Sequence, residues 1–242
     1  MKTLILIPVR MASVRFPNKP MALIDGKTMI QRVWEQAIQS NLGEVIVACS
    51  EIEIYNFINS LGGKAEMTNP NLPSGTDRIF EAINNYSNIS HYDSIINLQG
   101  DMPIINPADI KKVNIPLQQG FDIGTLVTEL VDDQIKDVNI TKAEIEWIKK
   151  YKIGKALNFD KKIIDSINNE IYHHVGIYSF RYETLKKFIS MPPSKNEIKR
   201  KLEQLRALDA KMTIGVSYVK DVPISVDTKK DLLKVEEIIK NS

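Results

Sequence analysis

The chain has 242 residues, 43% of them hydrophobic, and a formal net charge of +2. That length supports one α/β domain with a full core, and the near-balance of charge excludes a general attraction to nucleic acid or membrane surfaces. The first strand starts within a few residues of Met1 and no segment is apolar for long enough to span a bilayer, so the expectation is a cytoplasmic protein without a signal peptide.

Residues 4–9 form an apolar run without polar alternation, the pattern of a strand covered on both faces in a parallel sheet. It ends in a loop carrying Arg10, Arg15 and Lys19, at the carboxyl edge where open α/β sheets bind ligands. Converging cations there point to a polyanion such as a triphosphate, the alternative being a solvated basic loop. Thr28 and Gln31 read as a capping box opening a helix through Ser40. Residues 45–48 are predicted as a second strand, 51–61 as a helix closed by Gly62 and Gly63, and 65–67 as a short third strand. The single Cys49 cannot form an internal disulfide and reads as a small buried filler. Further strands are predicted at 94–98 and 123–130, with helical stretches near 77–86 and 107–119. This alternation implies right-handed crossovers and a doubly wound, mostly parallel α/β sheet.

The pattern changes after residue 140. Residues 143–148 and 155–159, joined by a Lys-rich turn containing Gly154, read as a hairpin, and 174–180 as another strand. Ser194 and Glu197 start a second capping box, whose helix would place Ile198, Leu202, Leu205 and Leu208 on one apolar stripe. Residues 212–219 and a helix from Thr228 return to the main layer. The expectation is a single domain over 1–242 with a small inserted α+β lobe at about 140–210, suited to a sugar site or a dimer contact.

Neither G-x-x-x-x-G-K-[ST] nor G-x-G-x-x-G follows the first strand. What stands there, Arg10-x-x-Ser13-x-Arg15-Phe16-Pro17-Asn18-Lys19-Pro20, resembles the signature loop of sugar nucleotidyltransferases, most closely the R-x-x-S-x-R-[LF]-P-x-K-P form of the cytidylyltransferases that activate acidic sugars. The commonest residue between Pro and Lys in that family is Gly; Asn18 is the residue most tolerant of a left-handed backbone after Gly. In order along the chain, residues 74–78 match S-G-T-[DE]-R, 97–103 match N-x-Q-G-D-x-P, 174–178 match H-x-G-[IL]-Y, 202–206 match L-E-Q-L-R and 226–232 match V-D-T-x-x-D-L. The resemblance covers nearly the whole chain and points to the members acting on 3-deoxy-manno-octulosonate (Kdo).

The resemblance implies transfer of CMP from CTP to the anomeric hydroxyl of Kdo with release of pyrophosphate, the sugar activation step for lipopolysaccharide, in a homodimer. Arg10, Ser13, Arg15 and Lys19 would hold the phosphates. Ser74, Gly75 and Arg78 would line the cytidine pocket with Gln99. Asp101 and Asp227 each follow an extended segment, and two carboxylates beside a triphosphate suit Mg²⁺; a turn former and a helix-cap neighbour are their ordinary roles. Arg10, Lys19, Asp101 and Asp227 are the implied catalytic set. His174 and Tyr178, an even number apart on a strand, would face the sugar together, while His173 points away. Glu203 and Gln204 fall off the Leu stripe and would meet sugar hydroxyls, and Arg206 is open between the sugar and an inter-subunit ion pair.

Three departures stand out. Ala48-Cys49-Ser50 replaces A-T-D and loses a carboxylate at the sheet edge; Leu72 stands where a His often precedes S-G-T; and Phe159-Asp160-Lys161 replaces F-S-R, putting the ammonium of Lys161 where a guanidinium would meet the sugar acid. These leave open a different acidic sugar such as sialic acid, another NTP, or a non-catalytic nucleotide-binding protein of the same fold.

Overall fold

A computed structural model describes residues 1–12, 15–86, 92–164, 166 and 169–241. The chain divides into two compact units, one of residues 1–110 with 223–242 and one of residues 111–222. The inserted unit is therefore wider at both ends than the expected 140–210.

The first unit opens with β1 (Thr3–Val9), buried along its whole length. A small hairpin, β2 (Leu23–Ile24) with β3 (Lys27–Thr28), leads to α1 (Met29–Gln39). Then follow β4 (Gly43–Cys49), α2 (Ile52–Ser60), β5 (Lys64–Met67), α3 (Gly75–Asn85) and β6 (Ser94–Asn97). Only half of the first capping box forms: Thr28 accepts the N–H of Gln31 at 3.2 Å, but the Gln31 amide turns to Glu35 at 3.0 Å. The four strands order as β5-β4-β1-β6, with β1 parallel to both neighbours and β4 parallel to β5. The chain steps outward from β1 through β4 to β5, then crosses to β6 on the other side of β1. This reversal is the switch point at which doubly wound sheets open a ligand crevice, and the loops that flank it follow β1 and β6.

The single predicted helix over 107–119 is split into α4 (Pro107–Lys112), which runs across the boundary between the units, and α5 (Ile115–Gln118) in the second unit. Pro116 has no N–H to donate and is tolerated only in a first turn, which is where α5 places it. Strands β7 (Ile123–Thr128), β8 (Lys142–Lys149), β9 (Ile153–Asp160) and β10 (Glu170–Phe180) follow, then α6 (Tyr182–Ser190), α7 (Lys195–Arg200), α8 (Leu205–Asp209) and β11 (Ile214–Tyr218). The order β10-β7-β11-β9-β8, with the start of β10 pairing back onto β8, closes these strands into a ring. Gly154 is not in the hairpin turn, which is made by Lys150–Lys152 with Tyr151 at φ 56°. It lies inside β9, where an added Cβ would come within 2.9 Å of the Trp147 ring. The apolar stripe on a single helix over 194–208 is also corrected. The Ser194/Glu197 capping box forms, but Lys201 takes a left-handed conformation at φ 55° and ends α7, leaving Ile198 67% exposed while Leu202 and Leu205 are buried.

The chain returns to the first unit at Pro223 and ends in α9 (Lys229–Lys240), opened by a full Thr228/Asp231 capping box. Its Val235 packs with Val226, Ile24, Met29 and Phe16 of the signature loop.

Candidate active site

The parallel register fixes which loops meet. Val9 lies opposite Cys49 and Leu6 opposite Asn97, and Leu98 N–H donates to Leu6 carbonyl at 2.9 Å. The loops that begin at Arg10, Ser50 and Leu98 therefore leave the sheet side by side. The first is held in shape by Asn18 N–H donating to Met11 carbonyl at 3.2 Å, by Asn18 in the left-handed region (φ 56°, ψ 22°), and by Phe16 buried in the apolar cluster. Asn18 thus takes the conformation that its substitution for Gly requires.

Val226 N–H donates to the Asp101 carbonyl at 2.8 Å, which brings Asp227 beside Asp101. Lys19 Nζ stands 2.9 Å from Asp101 Oδ2 and 3.5 Å from Asp227 Oδ1, and an Arg15 Nη stands 3.0 Å from Asp227 Oδ1. Lys19 is the sheltered cation, with its side chain 14% exposed against 61% for Arg15. Arg10, Arg15, Lys19, Ser74, Arg78 and Gln99 all line one cavity of about 410 Å³, with Gly75 and Asp101. Ser13 lies outside the described residues.

On the far wall, Ser74 caps α3, accepting the N–H groups of Thr76 and Asp77 at 3.1 Å each while donating to Asp77 Oδ2 at 2.6 Å. Gly75 is needed for close approach: a Cβ there would lie 3.1 Å from Pro8 Cγ and 3.5 Å from Gln99 Oε1. Gln99 donates to Asn97 Oδ1 at 2.9 Å, and Asn97 in turn donates to Thr76 Oγ1 at 3.2 Å, so the amide that borders the cavity is oriented from beneath. Arg78 is 2% exposed and donates to Thr68 Oγ1 at 2.5 Å; burial pulls its guanidinium below the ordinary value, opposed by Glu51 and reinforced by Arg10. Burial pushes the Cys49 thiol up to about 12, an inert filler as expected.

The carboxylate missing at Ser50 is supplied one residue later. Glu51 Oε1 accepts Met11 N–H at 3.0 Å, a contact that the sequence reading missed and that only the Ser-Glu order at the end of β4 could have signalled.

The residues expected to meet the sugar lie in the second unit. His174 is 7% exposed, with its ring 5.5 Å from that of Tyr178 and 5.0 Å from that of Phe159. The Thr125 hydroxyl donates its proton to the Ile177 carbonyl at 2.8 Å, so His174 Nε2, 3.0 Å from Thr125 Oγ1, is the donor and Nδ1 is left as an acceptor. Burial pulls His174 down to about 3 and raises Tyr178, with the Glu203 charge adding to the latter. His174, Tyr178 and Glu203 thus come together, and His173 faces elsewhere, against Gln134 Oε1 at 3.2 Å. Gln204 departs from expectation: it is 7% exposed and packed inside rather than off the core. Arg206 is occupied within the chain, donating to both Glu197 oxygens at 2.6 and 2.9 Å over the Phe188 ring. Lys161 is half-buried, its carbonyl held at 2.9 Å by the Nζ of the fully buried Lys142.

Among the described residues, no group of three or more His, Cys, Asp or Glu side chains forms a metal-sized cluster, and no helix is long and apolar enough to cross a membrane. Comparison with known proteins agrees with the geometry. The sequence profile of the Cytidylyltransferase family matches residues 4–214. The chain is 40% identical over 239 residues to a 3-deoxy-manno-octulosonate cytidylyltransferase of Paramagnetospirillum magneticum, covering 98% of this chain and 97% of that one. It is 41% identical over 233 residues to the protein of the same name from Parvibaculum lavamentivorans, covering 96% and 90%. Among solved structures, CMP:2-keto-3-deoxy-manno-octonic acid synthetase complexed with CTP superposes with a TM-score of 0.89 at 32% identity, over 100% of this chain and 99% of that one.

Proposed function

The chain belongs to the cytidylyltransferase family, in the group of 3-deoxy-manno-octulosonate cytidylyltransferases, and from that premise we propose that it transfers CMP from CTP to the anomeric hydroxyl of Kdo. The observation that carries the reading is the cavity at the switch point, lined by cations suited to a triphosphate and by Asp101, with Asp227 paired to two of the same cations. The sugar hydroxyl oxygen attacks the α-phosphorus in line, the bond to the bridging oxygen breaks, pyrophosphate leaves, and the hydroxyl proton passes to solvent. Lys19 and Arg15 bind phosphate oxygens and stabilise the charge that grows on the leaving group, and Arg10 extends that field. Ser74, Gly75, Arg78 and Gln99 enclose the nucleoside, with Arg78 and Gln99 locked by their own hydrogen bonds before any ligand arrives. In the second unit, neutral His174 offers Nδ1 as an acceptor for a sugar hydroxyl, Tyr178 and Glu203 add further polar contacts, Gln204 supports them from within, and Lys161 meets the sugar acid.

Asp101 and Asp227 fit Mg²⁺, which takes hard oxygen ligands, one or two carboxylates with phosphates and water completing the shell. When bound there, the ion would polarise the α-phosphate and neutralise the triphosphate. The same reading includes a homodimer, a cytoplasmic location, and one nucleotidyltransferase domain into which the sugar-binding unit is inserted. Asp101→Asn and Asp227→Asn are each expected to cut pyrophosphate release from CTP and Kdo by about 100-fold or more at saturating Mg²⁺, with the thermal midpoint preserved. Near-wild-type turnover in either variant would remove that carboxylate from the mechanism.

A further inference from the structure

Glu51 stands immediately before α2, where a side chain would ordinarily cap the helix, yet its carboxylate makes no hydrogen bond to that helix. Its Oε1 reaches across to the Met11 N–H at 3.0 Å, from the end of β4 to the loop that follows β1. Its Oε2 is buried and, among the described residues, has no hydrogen-bond partner; the Oγ of the adjacent Ser50 is in the same state. A buried carboxylate oxygen without a hydrogen bond is costly unless nearby cations offset it. The cation that Glu51 acts on is Arg78, whose charged form it favours; Arg10 acts on Arg78 as a like charge. Both cations line the nucleotide cavity, whereas Glu51 is not among the residues that line it.

We propose that Glu51 is a positioning residue for the nucleotide: through Met11 it ties the signature loop, and with it the adjacent Arg10, to the sheet edge in the geometry that receives CTP. The proposal rests on the CTP reading of this cavity. Two physical accounts predict opposite signs, which makes it testable. If Glu51 acted only as a negative charge, neutralising it would strengthen the binding of a triphosphate to the surrounding cations. If it positions the loop, neutralising it weakens binding although the overall field becomes more positive.

The experiment is calorimetric titration of CTP into the wild-type protein and into Glu51→Gln, Glu51→Ala and the double variant Ser50→Asp/Glu51→Ala, with steady-state kinetics alongside. Glu51→Gln keeps an acceptor for Met11 and loses the charge, so CTP should bind about threefold more weakly, and Glu51→Ala about tenfold or more. KM for Kdo should stay within about twofold of wild type in both, a selective loss on the nucleotide side that general destabilisation of the fold would not produce. In the double variant the aspartate returns a carboxylate to the same edge one residue earlier, and CTP binding should recover at least half of the loss on a logarithmic scale. CTP binding by Glu51→Gln as tight as wild type or tighter would overturn the proposal while leaving the CTP reading intact. A wild-type protein that does not bind CTP would overturn both.

Discussion

Lys161 stands where the family pattern carries arginine, and its backbone is pinned although its side chain is only half-buried. The ammonium of Lys142, 1% exposed, donates to the carbonyls of Asp137 at 2.5 Å and Lys161 at 2.9 Å, so the main chain beneath the candidate sugar cation is fixed from inside. A lysine ammonium is a compact point charge and lacks the planar fork by which arginine holds a carboxylate with two parallel bonds. Lys161→Ala should raise KM for Kdo roughly tenfold, the loss of about one charge-assisted hydrogen bond, and Lys161→Arg should lower it or leave it unchanged, with KM for CTP unaffected in both. Unchanged kinetics in the alanine variant would transfer the role to another cation. Arg181 is already tied to the Leu117 carbonyl at 2.8 Å, and Arg200 lies 3.5 Å from Asp160. His174 makes a prediction in pH. Burial holds its folded pKa at about 3 and that of His173 at about 4, below the unfolded value of about 6.5. Below that value the unfolded chain takes up protons that the folded chain refuses, so stability should fall as pH drops from about 6.5 towards 4. Thermal midpoints measured across this window should fall less steeply in His174→Gln; an equal slope would mean that His174 does not contribute to it.

At the scale of elements, the signature loop depends on one backbone conformation, that of Asn18 at φ 56° just before Lys19. Asn18→Gly should leave KM for CTP within about twofold of wild type, whereas a β-branched residue, as in Asn18→Val, is strained at positive φ and should raise it several-fold. Equal KM values for the two variants would mean that the loop does not need this turn. Both this turn and the burial of β1 were legible in the sequence, because they depend on local chemistry: an uninterrupted apolar run, and the residue best able to replace Gly. Where the sequence reading failed, a local pattern was overridden. Pro116 divided one predicted helix, and Lys201 divided another by taking a left-handed conformation that no Gly announced. Gly154 looked like a turn residue but makes room for Trp147 within β9. The strand-end contacts of Glu51 and the burial of Gln204 depend on neighbours distant in sequence, and a single chain read without its fold carries little sign of them.

At the scale of the whole molecule, the first unit carries the candidate nucleotide cavity and the second the candidate sugar residues. The phosphate and carboxylate elements match the family pattern, while the departures fall at Leu72, Ser50 and Lys161, among the elements expected to surround the base and the sugar acid. Substrate selectivity is therefore the property most exposed to contradiction. The decisive measurement is pyrophosphate release with CTP, UTP, GTP and ATP, each against Kdo and sialic acid in the presence of Mg²⁺. The account predicts rapid release only with CTP and Kdo together, and kcat/KM lower by about 100-fold or more for every other pairing, the discrimination available when a site built for specific hydrogen bonds is left with unpaired polar groups. Preference for sialic acid over Kdo, for another nucleotide over CTP, or release of pyrophosphate from CTP without a sugar acid would contradict it.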